Sequence, residues 1–230
     1  NTDGTITSTV QANTAGGFSI VTFTGNGVDG ASIGHGLSAS PECIWIKNRS
    51  QGDDWAVYHH ATGNASHLLL NSTAAVTTSS AYWNSFTPSS TVFKTGNDHK
   101  LNASTEDYVA YCWSEVKGYS KFGAFKGNGN TNGAFIYTGF RPKFVWIKRT
   151  DGSHYWYNLD SVRQSYVGNP LTQLLTFDNH GSESDHGSTN NIDFLSNGWK
   201  MRTSGGSLNG TGNFIWGAFG DVPHMRPNTF

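Results

Sequence analysis

Charge is scarce in this chain. Only 13% of its 230 residues are Asp, Glu, Lys or Arg, against about 25% in an ordinary globular domain. The 15 basic and 16 acidic residues leave a net charge of -1, and neither sign is clustered. A surface that tracks phosphate needs grouped Lys and Arg, so nucleic acid is not an expected partner. Long apolar runs are missing too. None approaches the roughly 18 residues of a membrane-spanning helix, so no membrane insertion is expected. No window of a dozen residues keeps a helical period. Cysteine occurs twice, as Cys43 and Cys112, each inside an apolar alternating stretch. There a free thiol serves as a small hydrophobe, so no disulfide is expected.

Gly, Ser, Thr and Asn fill the space that charge leaves, and the chain states its pattern twice. Pro41-Glu-Cys-Ile-Trp-Ile-Lys47 returns as Pro142-Lys-Phe-Val-Trp-Ile-Lys148, shifted by 101 residues. Phe23-Thr-Gly-Asn-Gly27 returns as Phe125-Lys-Gly-Asn-Gly129, and Trp55 returns as Trp156. Leu68-Leu69 matches Leu174-Leu175, and Tyr108–Val116 matches Phe214–Val222, both shifted by 106. The matches keep one order, and the shift grows by one short insertion. Cys43 falls opposite Phe144 and Cys112 opposite Ala218, which speaks again against a bridge.

Period-two alternation dominates, broken by turn signals such as Asn26-Gly27 and Asp29-Gly30. Ile44 and Ile46 share one strand face; Cys43, Trp45 and Lys47 share the other. The expected class is all-β, as two tandem β-sandwich, jelly-roll-like units related by internal duplication. Residues 1–16 read as an N-terminal connecting segment that continues a preceding stalk. Residues 17–118 form the first unit, 119–223 the second, and 224–230 a C-terminal tail. Almost no linker separates the units, so they are expected to pack together rather than swing.

Candidates for chemistry are thin, and the chain is expected not to be an enzyme. The nearest match to a glucanase carboxylate triplet is Glu183-Ser-Asp185, with Ser at the closing position and turn-like surroundings. His180 and His186 with Asp178, Glu183 and Asp185 form the densest ligand-like cluster, whose plainer reading is a solvated loop. His59 and His60 are adjacent and point to opposite faces of a strand. Gly34-His-Gly36 reads as a turn followed by a buried or capping histidine. The Asp and Asn turns near Gly27, Gly30 and Gly129 could supply oxygen ligands to calcium, but they lack the alternating acidic calcium-loop pattern. No cofactor and no metal site are therefore expected. Asn-x-Ser/Thr occurs at Asn48, Asn64, Asn71, Asn102 and Asn209, at a rate chance explains in so Asn-, Ser- and Thr-rich a chain.

Tryptophan is the more telling class. Trp45 and Trp146 correspond across the repeat, as do Trp55 and Trp156. Exposed, these four would offer flat apolar faces to sugar rings and make a carbohydrate-binding surface. Buried, each would remove on the order of 150 to 250 Å² from water in a core or interface. Trp45 and Trp146 share their strand face with Lys47 and Lys148, which marks that face as solvent-lined or interfacial.

Several stretches resemble a repeat known from large tail-fibre-like virion proteins of marine bacteriophages. They are Asn1–Val10, Gly17–Val21, Gly34–Leu37, Ile44–Asn48, Gly118–Gly123, Gly139–Pro142, Val145–Gly152, Asp193–Gly198 and Phe214–Phe219. The resemblance covers nearly the whole chain and departs at His224–Phe230. It implies a β-sandwich building block of a virion appendage, extracellular and non-enzymatic, that takes part in host attachment. It also implies self-association, commonly as a homotrimer, contact with other virion proteins, and a host-surface glycan as a partner. A capsid decoration protein is a related alternative. The resemblance brings no catalytic residues to carry over.

Overall fold

The computed structural model describes residues 1–163, 168–185 and 190–221. The expected tail, 224–230, lies outside them, as does His186. The described chain is nearly all β, and sandwich-like. Its strands are β1 Ser8–Asn13, β2 Phe18–Thr24, β3 Ala31–Gly34, β4 Cys43–Asn48, β5 Ala56–His59, β6 Ser66–Leu69, β7 Thr77–Thr78, β8 Val92–Thr95 and β9 Asp107–Trp113. There follow β10 Ser120–Lys126, β11 Phe135–Tyr137, β12 Phe144–Arg149, β13 Trp156–Asp160, β14 Gln173–Thr176, β15 Ser184–Asp185, β16 Ile192–Leu195, β17 Gly198–Met201 and β18 Asn213–Phe219. Two single-turn helices, α1 Ser80–Trp83 and α2 His99–Asn102, interrupt the first half.

A seven-stranded sheet has the order β1-β2-β9-β4-β5-β6-β7, and a six-stranded sheet the order β10-β18-β12-β13-β14-β15. Their antiparallel registers correspond. Ile44 faces Cys112 and Trp45 faces Tyr111 in the first; Val145 faces Ala218 and Trp146 faces Gly217 in the second. Two smaller sheets, β3-β8 and β11-β17-β16, cover one face of each large sheet.

Three apolar clusters follow from the alternation. Val21, Phe23, Ile44, Ile46, Tyr108 and Ala110 pack against Ile33, Phe93, Trp83 and Leu101. Val145, Ile147, Leu159, Phe214 and Trp216 pack against Ile136, Phe194, Trp199 and Met201. The third cluster joins the large sheets back to back, with Cys43, Val57 and Leu68 from one and Phe122, Trp146, Trp156 and Ile215 from the other. The result is four β layers. The two halves pack together as the short junction at Val116–Tyr119 suggested.

The repeated Phe-x-Gly-Asn-Gly turn has a full structural reason. Gly27 and Gly129 adopt φ of 70° and 64°, where glycine is strain-free. A Cβ on Gly25 would lie 2.2 Å from the Ala103 carbonyl oxygen, and one on Gly127 2.0 Å from that of Gly210. Asn102 and Asn209, both fully buried, hold the two turns alike. Each accepts from the turn asparagine's N–H, at 2.9 Å from Asn26 and 3.3 Å from Asn128. Each donates in turn to that asparagine's side-chain oxygen. Burial removes Asn48, Asn102 and Asn209 from the set of glycosylation acceptors, because an oligosaccharide cannot reach a fully covered amide.

One boundary differs from the sequence reading. Residues 1–16, expected as a connecting segment, include β1, which pairs along β2 from Ser8–Phe23 to Asn13–Phe18. Ile6 is buried beside Ile33. On the inner side of β1, Ser8 is buried, Val10 partly buried and Ala12 exposed, and Ser8 and Ala12 are too small to mark an apolar face.

Candidate functional site

The four tryptophans lie on the outward faces of the large sheets. In β4, Ile44 and Ile46 enter the first core, and Cys43 and Trp45 turn the other way. In β12, Val145 and Ile147 enter the second core, and Trp146 turns away. Trp45 and Trp146 then meet across the inter-sheet seam, ring centroids 6.2 Å apart at 57°. Trp156 stands 5.7 Å from Trp146, and Trp113 stands 4.7 Å from Trp45.

Burial corrects the sugar-platform reading for two of the four. Trp146 is 2% exposed and Trp156 fully buried, so neither offers a ring face to solvent. Their place is the interface, the other reading of the same pattern. Trp45 is partly buried in that seam. Trp55 is also only partly buried, and its ring lies 6.1 Å from Tyr111, planes within 24°. Tyr111 in turn neighbours Phe18 at 6.4 Å and 12°. Phe18, Tyr111 and Trp55 thus form a half-exposed aromatic row on the first unit, beside the 37%-exposed Ile20.

Trp55 and Trp156 share backbone surroundings. Trp55 N–H donates to Asn71 Oδ1 at 3.0 Å, and Trp156 N–H to Asp178 Oδ1 at 3.1 Å. What separates them is a strap, residues 70–76 of the first unit, laid on the β12–β13 hairpin of the second. Trp156 Nε1 donates to the Leu69 carbonyl at 2.9 Å. His154 N–H donates to Thr73 O at 2.9 Å, and Val76 N–H to Thr150 O at 2.9 Å. Lys148, fully buried, donates from Nζ to Thr73 O at 2.8 Å and to His154 O, with its ammonium over the Trp156 ring. Burial pushes the Lys148 pKa down to about 8, against the pull of Asp178. Its counterpart Lys47 is half-buried and donates to Asn48 O and Gln51 O.

His59 ties the halves a second time. Its Nε2 lies 3.2 Å from the Trp216 carbonyl, and its Nδ1 accepts from Ala61 N–H. That places the proton on Nε2. Burial, with His60 alongside, lowers its pKa to about 3. His60 points outward to Glu42, at 2.9 Å. His35 is buried at its glycine turn, accepting from Leu37 N–H at Nδ1.

Glu183 pairs with Arg163 at 2.8 Å, and Asp185 lies in the two-residue strand opposite Gln173. Asp178 spends Oδ1 on the Trp156 amide. Sequence reasoning missed a closer pair, Asp53 and Glu106, which converge on Asn48 Nδ2 at 2.8 and 2.5 Å. The second half places Arg149 there, paired with Asp151. The amide and His99, 3.0 Å from Asp53, already engage the two carboxylates. Among the described residues, no three His, Cys, Asp or Glu side chains converge to hold a metal. Cys43 and Cys112 are buried free thiols in different clusters, on opposite faces of the sheet. Tyr111 and Phe18 were also missed; their place beside Trp55 follows from the β2-β9-β4 strand order, which alternation alone does not supply.

A family model described as a domain of unknown function (DUF7483) matches residues 1–223, and the chain belongs to that family. No curated protein matches the chain, and no solved structure does.

Proposed function

We propose that this chain is a non-enzymatic structural and adhesive module of an extracellular fibre, a bacteriophage virion appendage engaged in host-surface attachment. It would consist of two sandwich units descended from one by tandem duplication, meeting near residue 118. The observation that carries this reading is the seam between the large sheets. Equivalent faces, each bearing a Trp-Ile-Lys strand, are used to weld one half to the other. Such a four-layer block resists bending and keeps a polar exterior poor in charge and nearly neutral overall, which suits a spacer or tip that acts by shape. Cryo-EM of intact particles tests it. Density for this fold in a fibre is the expected result, and a free, non-virion protein ends the proposal.

A second reading has its own observation, the half-exposed row Trp55–Tyr111–Phe18. A pyranose ring stacks its C–H face on such rings, and the surrounding Thr, Gln and Asn side chains suit its hydroxyls. On this reading the module binds a neutral host glycan. Glycan-array binding that Trp55→Ala abolishes, with circular dichroism unchanged, supports it; an array with no binding by the parent protein removes it.

A further inference from the structure

We infer that β1 is a self-pairing edge, along which a second copy of this chain adds its own β1 antiparallel to make one continuous sheet across two subunits. The argument is an accounting of sheet edges. An edge strand offers a row of unpaired N–H and C=O groups, and proteins normally block it. Here the other longer edges are blocked. On β10, Glu115 Oε1 accepts from Phe122 N–H at 3.0 Å, and Lys121 and Lys126 add charge. On β16, the Asn169 amide takes both backbone groups of Phe194, at 2.9 and 3.0 Å. On β8, Ser89 Oγ accepts from Val92 N–H and donates to Val92 O. On β3, Ile6 N–H reaches Ser32 O, and Thr5 Oγ1 takes Ser32 N–H. The remaining edges are short: β7 and β15 are two residues long, and β11 is three.

On β1 such a cap reaches only Ser8, whose N–H and C=O are both taken by Asn1. The strand is six residues, Ser-Thr-Val-Gln-Ala-Asn, without charge or proline. Beyond its pairing with β2, the backbone of Thr9 to Ala12 meets no other hydrogen-bonding group among the described residues. Thr9, Gln11, Ala12 and Asn13 are all exposed.

The occupant follows from symmetry and chemistry. An antiparallel strand pair about a twofold axis is self-complementary, so one edge suffices for both partners. By alternation from Ser8, whose backbone groups Asn1 holds, the open edge groups are those of Val10 and Ala12, and a twofold centred on Gln11 pairs the two with each other. On the exposed face Gln11 then meets its own copy, and Thr9 meets Asn13 of the other copy. Hydroxyls and amides are both donors and acceptors, so like can bond like, where a charged edge would repel itself. A threefold arrangement would instead need β1 to find a different open edge on the next copy, and the longer ones are capped. The inference rests on the sheet edge and not on the fibre reading; a dimer found outside any virion would leave it standing.

The test is the solution mass of the full chain by light scattering at about 100 μM, with two sets of variants. The expected result is twice the 24.9 kDa of one chain, falling to one chain in Thr9→Lys/Gln11→Lys. Gln11→Lys would face its own copy across the axis, with Thr9→Lys diagonal to it. Both positions are exposed, so an unchanged melting temperature at dilution checks the fold. Single cysteines at positions 9, 11 and 13 supply a second readout, because Cys43 and Cys112 are buried. Gln11→Cys, on the axis, should give an intermolecular disulfide on mild oxidation. A monomeric or trimeric parent, a dimer that survives the double lysine variant, or no cross-link at any of the three positions overturns the inference.

Discussion

Trp45 and Trp146, one residue position used in each half of the chain, touch each other across the molecule at 6.2 Å. The contact turns a sequence correspondence into a shared seam. Trp146 also touches His59, Phe122 and Trp156, so its removal opens a cavity that no single neighbour can fill. Trp146→Ala is expected to cost about 3–5 kcal/mol. Because the seam couples the sheets, the parent protein should unfold in one denaturant transition, with fluorescence and circular dichroism coinciding. Two separated transitions in the parent would show that the seam does not couple them.

Gly217 faces Trp146 in the β12–β18 pairing, and a Cβ there would lie 2.5 Å from the indole. Its backbone is ordinary for a strand, so the glycine answers to space and not to conformation. Gly217→Ala should destabilise by roughly 1–3 kcal/mol through overpacking. Gly52→Ala, whose Cβ meets nothing within 4 Å, is the control and should stay near the parent's urea midpoint.

The buried histidines predict acid sensitivity. His59 has its pKa lowered to about 3 and His67 to about 4, in both cases by burial first. Both are neutral in the fold, whereas the unfolded chain protonates them near 6.5. Their contribution is therefore whole above pH 6.5 and is lost as pH falls towards 4 and then 3. Chemical denaturation from pH 7.5 to 4 should show stability dropping on the order of 1 kcal/mol per pH unit per histidine. His59→Asn should make that slope shallower while lowering the starting value. A flat profile in the parent would contradict the assignment of neutral imidazoles.

Asn102 and Asn209 do the same work in the two halves, so their loss should cost alike. Asn102→Ala strands Asn26 N–H and the backbone carbonyls of Val28 and Gly96. Asn209→Ala strands the corresponding groups at Asn128, Asn130 and Thr203. Each should lose roughly 2–4 kcal/mol, as buried partners are left unpaired. Melting temperatures of the two variants should lie close together; a large disparity would mean the turns are not equivalent.

Trp55 and Trp156 should respond unequally despite their matching positions. Trp156 is fully buried under the strap, and Trp55 is not. Trp156→Ala should cost about 3–5 kcal/mol, and Trp55→Ala about 1–2. Paired denaturation curves decide it, and equal losses would deny the asymmetry.

The all-β class and the facing of β4 and β12 were legible because side chains alternate strictly along a strand. Ile44 and Ile46 on one side, Trp45 on the other, needed no tertiary information. Burial of Trp146 and Trp156 was not legible, since it depends on which sheet covers which. β1 was hidden by the small size of Ser8 and Ala12. The helix α2 left a faint sign in Asp98, whose carboxylate accepts from Lys100 N–H, but four residues are too few to show a period. Asn102 and Asn209 stood in plain sight as a repeated asparagine and were read as chance sequons; their 107-residue spacing, close to that of the neighbouring strands, was the overlooked signal.

The strap from Leu70 to Val76 makes the two halves unequal in the order of synthesis. The first half carries it and emerges from the ribosome before the hairpin that needs it. The second half, expressed alone, would leave the Trp156 indole N–H without the Leu69 carbonyl and Lys148 without Thr73. The earlier segment therefore serves as a template for the later one, and a cut between them would leave the first piece nearer to self-sufficient than the second.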